Sequence, residues 1–215
     1  MIYNFSTSKS IVGPILAELR DVQIQKDGMR FRKNLERLGE ILAYEVSKKL
    51  DFKEETVTTP LGEATLYQLN EQPILATILR AGLPMHQGFL NFFDKADSAF
   101  VSAYRKHIDK DDFEIQVEYV AAPTFENKTL IIIDPMLATG SSMVSVYKTL
   151  IKQGNPTRVI IASAIASPEA LEYLQKHLPE STQYFIGAID LELTAQAYIV
   201  PGMGDAGDLA FGVKC

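Results

Sequence analysis

The sequence predicts an α/β fold: a central parallel sheet flanked by helices, with an N-terminal helix and a β-hairpin arm. Three observations carry this. Five short apolar runs, ILATI (74–78), AFVSAY (99–104), LIII (130–133), VIIASAIA (159–166) and YFIGAI (184–189), lack polar alternation, as strands covered on both faces do. Helical periodicity and cap residues fill the stretches between them. Strand and helix therefore alternate, which implies parallel strands joined by right-handed crossovers.

The elements follow in chain order. From Asp27 to Leu50 the residues Phe31, Leu35, Leu38, Ile41, Leu42 and Val46 recur at helical spacing, predicting one long amphipathic helix. ETVTTPLGEATLYQL (55–69) reads as a hairpin turning at Pro60–Gly62. After the second apolar run comes a charged stretch, RKHIDKDDFEIQVEY. Its second half alternates Ile115, Val117 and Tyr119 with Gln116 and Glu118, predicting a projecting hairpin arm over 105–120. Met143, Val146, Tyr147 and Leu150 form a helical face that stops at Gly154 and Pro156. Ser167-Pro168-Glu169 is a cap with proline in the first turn, opening a helix to about His177.

Bulk properties narrow the function classes. A chain of 215 residues, 47% hydrophobic and 22% charged, without repeats or low-complexity tracts, suits one domain spanning 1–215. One cysteine, Cys215, excludes an intrachain disulfide and a cysteine zinc cluster and fits a reducing compartment. No run reaches the ~20 apolar residues of a membrane span, and the N-terminus has no signal pattern; a cytoplasmic location is expected. The net charge of −6 argues against nucleic acid as the main partner, which needs a basic face.

Candidate chemistry centres on LIIIDPMLATGSSM (130–143). Asp134 ends a buried strand, at the edge where open parallel sheets bind ligands. Residues 138–142 turn into a helix whose first N–H groups and dipole favour an anion. Thr139, Ser141 and Ser142 add hydroxyls, and Gly140 admits close backbone approach. A phosphate suits the loop, and Asp134, an acceptor, suits sugar hydroxyls. The competing reading, in which Asp134, Thr139 and Ser141 only cap a helix, leaves unexplained the acid at the strand end and three hydroxyls where one suffices. GMGDAG (202–207) matches G-x-G-x-x-G but follows Pro201 and lacks a βαβ unit after it, so a dinucleotide is excluded. The histidines 86, 107 and 177 show no metal-ligand spacing and are assigned to packing or surface.

IIIDPMLATGSS resembles the phosphoribosyl-diphosphate loop of the type I phosphoribosyltransferases, in the form that the uracil phosphoribosyltransferases use, with one acid followed by Pro135. ILRAGL (78–83) and YIVPGMGDAGD (198–208) are similar to that family's other two signatures. The resemblance runs from about Leu19 to Lys214 and is weakest in the arm. It implies transfer of a 5-phosphoribosyl group from its 1-diphosphate to uracil, giving UMP and pyrophosphate. The implied catalytic set is Asp134, Asp205 and Arg105. The sugar diphosphate would meet Arg80, Arg105, Asp205 and the loop Asp134, Pro135, Met136, Leu137, Ala138, Thr139, Gly140, Ser141 and Ser142. Uracil would meet Tyr198, Ile199, Gly204, Asp205 and Ala206, within a base-binding loop at 196–212 that reads the pyrimidine edge by backbone groups.

The resemblance further implies Mg²⁺ held mainly by substrate rather than protein, a homo-oligomer (dimer or tetramer), and in some members GTP as effector. It also places a non-proline cis peptide in the diphosphate loop, expected here at Arg80–Ala81. Pro84 departs from the family's usual glycine, and the acids Asp109, Asp111 and Asp112 of the arm have no assigned partner. Two alternatives stay open: an RNA-binding pyrimidine-operon regulator on the same scaffold, and a transferase for another base.

Overall fold

The computed structural model describes residues 1–109 and 112–214; the side chains of residues 103–117 fall outside that description. In chain order the elements are β1 (Ile2–Asn4), α1 (Val12–Arg20), α2 (Gly28–Ser47), β2 (Phe52–Thr59), β3 (Gly62–Leu69), β4 (Ile74–Leu79), α3 (Leu83–Leu90), β5 (Asp97–Asp109), β6 (Asp112–Ala121), β7 (Thr129–Ile133), β8 (Met136–Leu137), α4 (Ser141–Leu150), β9 (Arg158–Ala166), α5 (Pro168–His177), β10 (Gln183–Ile189), β11 (Glu192–Leu193), β12 (Ile199–Val200) and α6 (Ala206–Phe211).

The main sheet runs β1-β10-β9-β7-β4-β5-β6, with β8 also beside β9. Every pairing is parallel except β5 with β6. The apolar runs are explained by alternation between two cores. In β7, Ile131 and Ile133 face the core shared with α1, α2 and α3, whereas Leu130 and Ile132 face the core shared with α4 and α5. A strand with helices on both sides has no wet face, so it shows no polar alternation.

The predicted elements from Asp27 onward are present. Asp27 caps α2, accepting from the N–H groups of Met29 and Arg30, and Ser167 caps α5, accepting from Ala170. The β2–β3 hairpin pairs from Phe52–Leu69 to Thr59–Gly62 as its own two-stranded sheet. The second apolar run and the arm are one strand: β5 pairs with β4 over 97–102, then continues against β6 to Asp109. The extended backbone is carried past the sheet by its antiparallel partner. Lys110, Asp111 and Cys215 lie outside the described residues, as do the side chains of Arg105, His107, Asp109 and Asp112. Before Asp27, where the sequence reading assigns no element, the structure places β1 and α1; β1 closes the sheet edge against β10.

Helices α2 and α3 touch backbone to backbone. A Cβ on Gly88 would overlap the carbonyl oxygen of Glu36 and come within 2.7 Å of the Glu40 nitrogen, and one on Gly39 would overlap the Met85 carbonyl. Gly88→Ala must push α3 off α2 and is expected to lower unfolding stability by about 1–3 kcal/mol, measurable as a lower denaturant midpoint at unchanged slope.

Candidate functional site

Parallel register brings the candidate residues to one edge. Thr77 of β4 lies beside Ile133 of β7, Ile133 beside Ala162 of β9, and Ala166 of β9 beside Ile189 of β10. The residues that follow these strand ends, Arg80, Asp134, Ser167 and Asp190, therefore emerge along a single rim.

The loop after β7 is held by main-chain bonds that leave its helix end open. The Asp134 N–H donates to Ala162 O, Ile165 N–H to Pro135 O, and Ser167 N–H to Leu137 O. The Ser167 hydroxyl donates to Ala138 O at 2.6 Å while accepting from Ala170 N–H at 2.9 Å. Gly140, at φ +78°, is the N-cap of α4 and supplies no side-chain acceptor. A Cβ there would sit 3.0 Å from Ala170 O and 3.2 Å from Leu174 Cγ, so the loop is seated on α5. The hydroxyls of Thr139 and Ser141 lie 2.8 Å apart, and the Ser141 N–H reaches Thr139 Oγ1 only at 3.5 Å. Simple helix capping does not describe this arrangement: the cap is Gly140, and the two hydroxyls face each other. Pro135 and Leu137 are buried, whereas Met136, Ala138, Thr139, Ser141 and Ser142 are partly exposed.

Asp134 is half-buried at the end of β7. Burial pushes its carboxyl up to about 8, only partly offset by a hydrogen bond from the Met136 N–H. The two histidines whose side chains are described lie within α3 and α5 rather than in these loops. His86 is buried, its ring centroid 5.4 Å from that of Phe100, and burial lowers its pKa against a hydrogen bond with the Leu75 backbone that raises it. His177 stacks on Tyr173 at the surface.

The loop after β4 lies between the other two. The cis peptide is Leu79–Arg80, one bond before the expected Arg80–Ala81. A Cβ on Gly82 would lie 3.0 Å from Ile133 O, placing this turn against the end of β7. On its other side Arg80 Nη2 donates to Asp208 Oδ1 at 3.0 Å, which uses one of the five guanidinium N–H donors. Pro84 sits in the first turn of α3, which starts after Gly82 without a side-chain cap; the departure from glycine is absorbed as a helix start.

The C-terminal loop completes the rim. Val200–Pro201 is cis and Gly202 and Gly204 have φ of +56° and +79°. Asp205 caps α6 through Asp208 N–H at 2.9 Å. Ile199 and Ala206 are buried, while Tyr198 is exposed. Two residues outside the predicted set hold this loop: Arg20 forms a bidentate pair with Asp190 at 2.7 and 2.9 Å, and both bond Gly202. Asp190 carries the signal used for Asp134, an acid directly after a buried strand. Arg105 lies opposite Ile115 in the β5–β6 ladder, and its side chain is outside the described residues. Among the described residues no group of three or more His, Cys, Asp or Glu is placed to hold a metal ion.

An uncapped helix start, an acid at a strand end and a glycine loop thus share one rim of a parallel sheet. A hypoxanthine phosphoribosyltransferase from Staphylococcus aureus shares the fold at TM-score 0.52 and 14% identity, covering 75% of this chain and 76% of that one. A protein from Aquifex aeolicus matches over 99% of both chains with TM-score 0.87 and 31% identity. The family model for uracil phosphoribosyltransferase matches residues 6–213. The chain is 52% identical to a uracil phosphoribosyltransferase of Porphyromonas gingivalis over 99% of each, and 39% identical to that of Thermococcus gammatolerans over 98% of this chain and 93% of the relative. The chain belongs to the uracil phosphoribosyltransferase family.

The carboxyl of Asp134 gives a pH test. In the unfolded chain it titrates near 3.8, in the folded chain near 8. The folded state then holds the extra proton between those values, so stability is highest below about 4 and falls as pH rises toward 8. Asp134→Asn removes this dependence: its melting temperature should pull ahead of the unsubstituted protein's as pH rises to 8, then hold a constant lead. A constant difference from pH 4 to 8 would contradict the assignment.

Proposed function

We propose that the chain transfers the 5-phosphoribosyl group of 5-phosphoribosyl 1-diphosphate to uracil, giving UMP and pyrophosphate in pyrimidine salvage. The observation that carries it is the family match over residues 6–213, joined to three signature loops on one rim. The uncapped start of α4 with Thr139, Ser141 and Ser142 would take the 5-phosphate. Asp134 would accept from ribose hydroxyls in its ionised form, which hydrogen bonds donated by those hydroxyls would favour. Arg80, with Arg105 of the arm, would meet the departing diphosphate, a bidentate partner for a guanidinium. The backbone of Ile199, Gly204 and Ala206 would meet the uracil edge, with Tyr198 at its border and Asp205 toward the ribose.

The bond from C1′ to the diphosphate oxygen breaks with positive charge developing on the sugar, so placement and charge stabilisation supply the catalysis. Carboxylates at this rim are hard oxygen donors and suit Mg²⁺, which would arrive hydrated on the substrate and offset the diphosphate's charge. The arm would close the site from water. A homo-oligomer, a GTP effector and a cytoplasmic location complete the proposal. Self-association agrees with Phe52, Leu61, Leu66 and Tyr67 exposed on β2–β3, a two-stranded hairpin of a kind marginal by itself in water. Among the described residues no helix is long and apolar enough to cross a membrane.

UMP formation across a panel of uracil, cytosine, orotate and hypoxanthine, with and without GTP, tests the reading; turnover of another base in preference to uracil refutes it. Filter binding of pyrimidine-leader RNA across salt tests the regulator alternative, which the family match does not support. Arg80→Ala is expected to weaken pyrophosphate inhibition roughly 10- to 100-fold, the loss of a charge-assisted contact. An unaltered inhibition constant would remove Arg80 from the diphosphate site.

A further inference from the structure

Arg20 and Asp190 lie outside all three signature stretches, yet they grip the middle of one. Asp190, 7% exposed, follows β10, and Arg20 closes α1. The guanidinium meets the carboxylate with two bonds, Nη1 to Oδ2 at 2.7 Å and Nη2 to Oδ1 at 2.9 Å. Each partner also bonds Gly202: Arg20 Nη1 donates to its carbonyl at 3.1 Å, and its N–H donates to Asp190 Oδ2 at 2.9 Å. Both backbone groups of Gly202 are thereby occupied by one ion pair. Gly202 is also in the left-handed region at φ +56°, where a Cβ would overlap Ile199 O.

The consequence reaches the residues on either side. Ile199 is tied to Leu193 by the β11–β12 ladder and packs against Gly202. Gly204 follows two residues later, and Arg20's own carbonyl accepts from Gln25 Nε2 at 3.0 Å, whose Oε1 approaches Gly204. We propose that the Arg20–Asp190 pair is a positioning device: it fixes the backbone from Ile199 to Gly204 in the orientation that recognises the pyrimidine, and so sets affinity and selectivity for uracil. This rests on the uracil-transferring function proposed above. Stability alone is a poor reason for the pair, because apolar replacements of a buried ion pair are often neutral or stabilising. Orientation is a better one: a forked arginine on a carboxylate fixes geometry as well as charge, and backbone recognition of a small planar base tolerates little displacement.

The experiment compares Arg20→Met, Arg20→Lys and Asp190→Asn with the unsubstituted protein by steady-state kinetics in both substrates, melting temperature and the uracil-to-cytosine rate ratio. Arg20→Met and Asp190→Asn should raise the KM for uracil about 10-fold or more, with the KM for the sugar diphosphate within about twofold and a lower uracil-to-cytosine ratio. Arg20→Lys retains charge and most packing; it should fold and fall between. A lowered melting temperature with unmoved uracil KM, or both KM values rising in step with a falling kcat, leaves only a structural role and overturns the proposal. If Arg20→Met does not fold, the uracil KM of Arg20→Lys decides in the same way. An unsubstituted protein that makes no UMP refutes the uracil reading and this inference together; normal turnover with unchanged uracil KM in every variant refutes the inference alone.

Discussion

Parallel strand direction is the constraint on which the site depends. β4, β7, β9 and β10 run the same way, so the loops after them leave from one edge although they are far apart in sequence. Burial of both sheet faces enforces this. Helices packed on β7 from two sides leave its strand end open to a ligand. That the residues after β4, β7, β9 and β10 share one edge follows from topology before any side-chain chemistry is considered.

The rim is then tightened by local contacts of unequal strength. The Arg80–Asp208 pair is partly exposed, and such pairs contribute little to stability; its effect is to link the turn after β4 to the start of α6. Hydrogen bonds around Ser167, buried or part-buried, bind the turn after β7 to both β9 and α5. The turn expected to grip the phosphate is thus the better anchored, and the arginine beside it has room to exchange one acceptor for another.

Much of the fold was legible because its signals are local. Ser167-Pro168-Glu169 gives the start of α5, Asp27 gives the start of α2, and the unalternating runs give five strands. What could not be read depends on distant partners or short segments. β1 is three residues whose only definition is pairing with β10 across the whole chain, and β8 is two. α1 has a readable face in Val12, Ile15, Leu16 and Leu19, obscured by Gly13 and Pro14, which suggest a break although proline is tolerated in a first turn. At the site, Asp134, the turn 138–142 and the C-terminal glycines were visible as motifs. The cis bond falls at Leu79–Arg80, a matter of backbone packing that no residue type encodes. Arg20 was invisible because nothing in its own neighbourhood points to Asp190, which becomes its partner only once α1 lies across the end of β10.

Ser167 couples two matters usually treated separately. Its single oxygen accepts from the Ala170 N–H in the first turn of α5 and gives its proton to the carbonyl of Ala138. Aspartate is as good a helix cap as serine but has no proton to give when ionised. A designer who strengthened α5 with that exchange would set a negative oxygen against a carbonyl and loosen the turn expected to hold the phosphate. Helix strength on the outside of the molecule and order at its rim are bound to the same hydroxyl, so neither can be optimised alone.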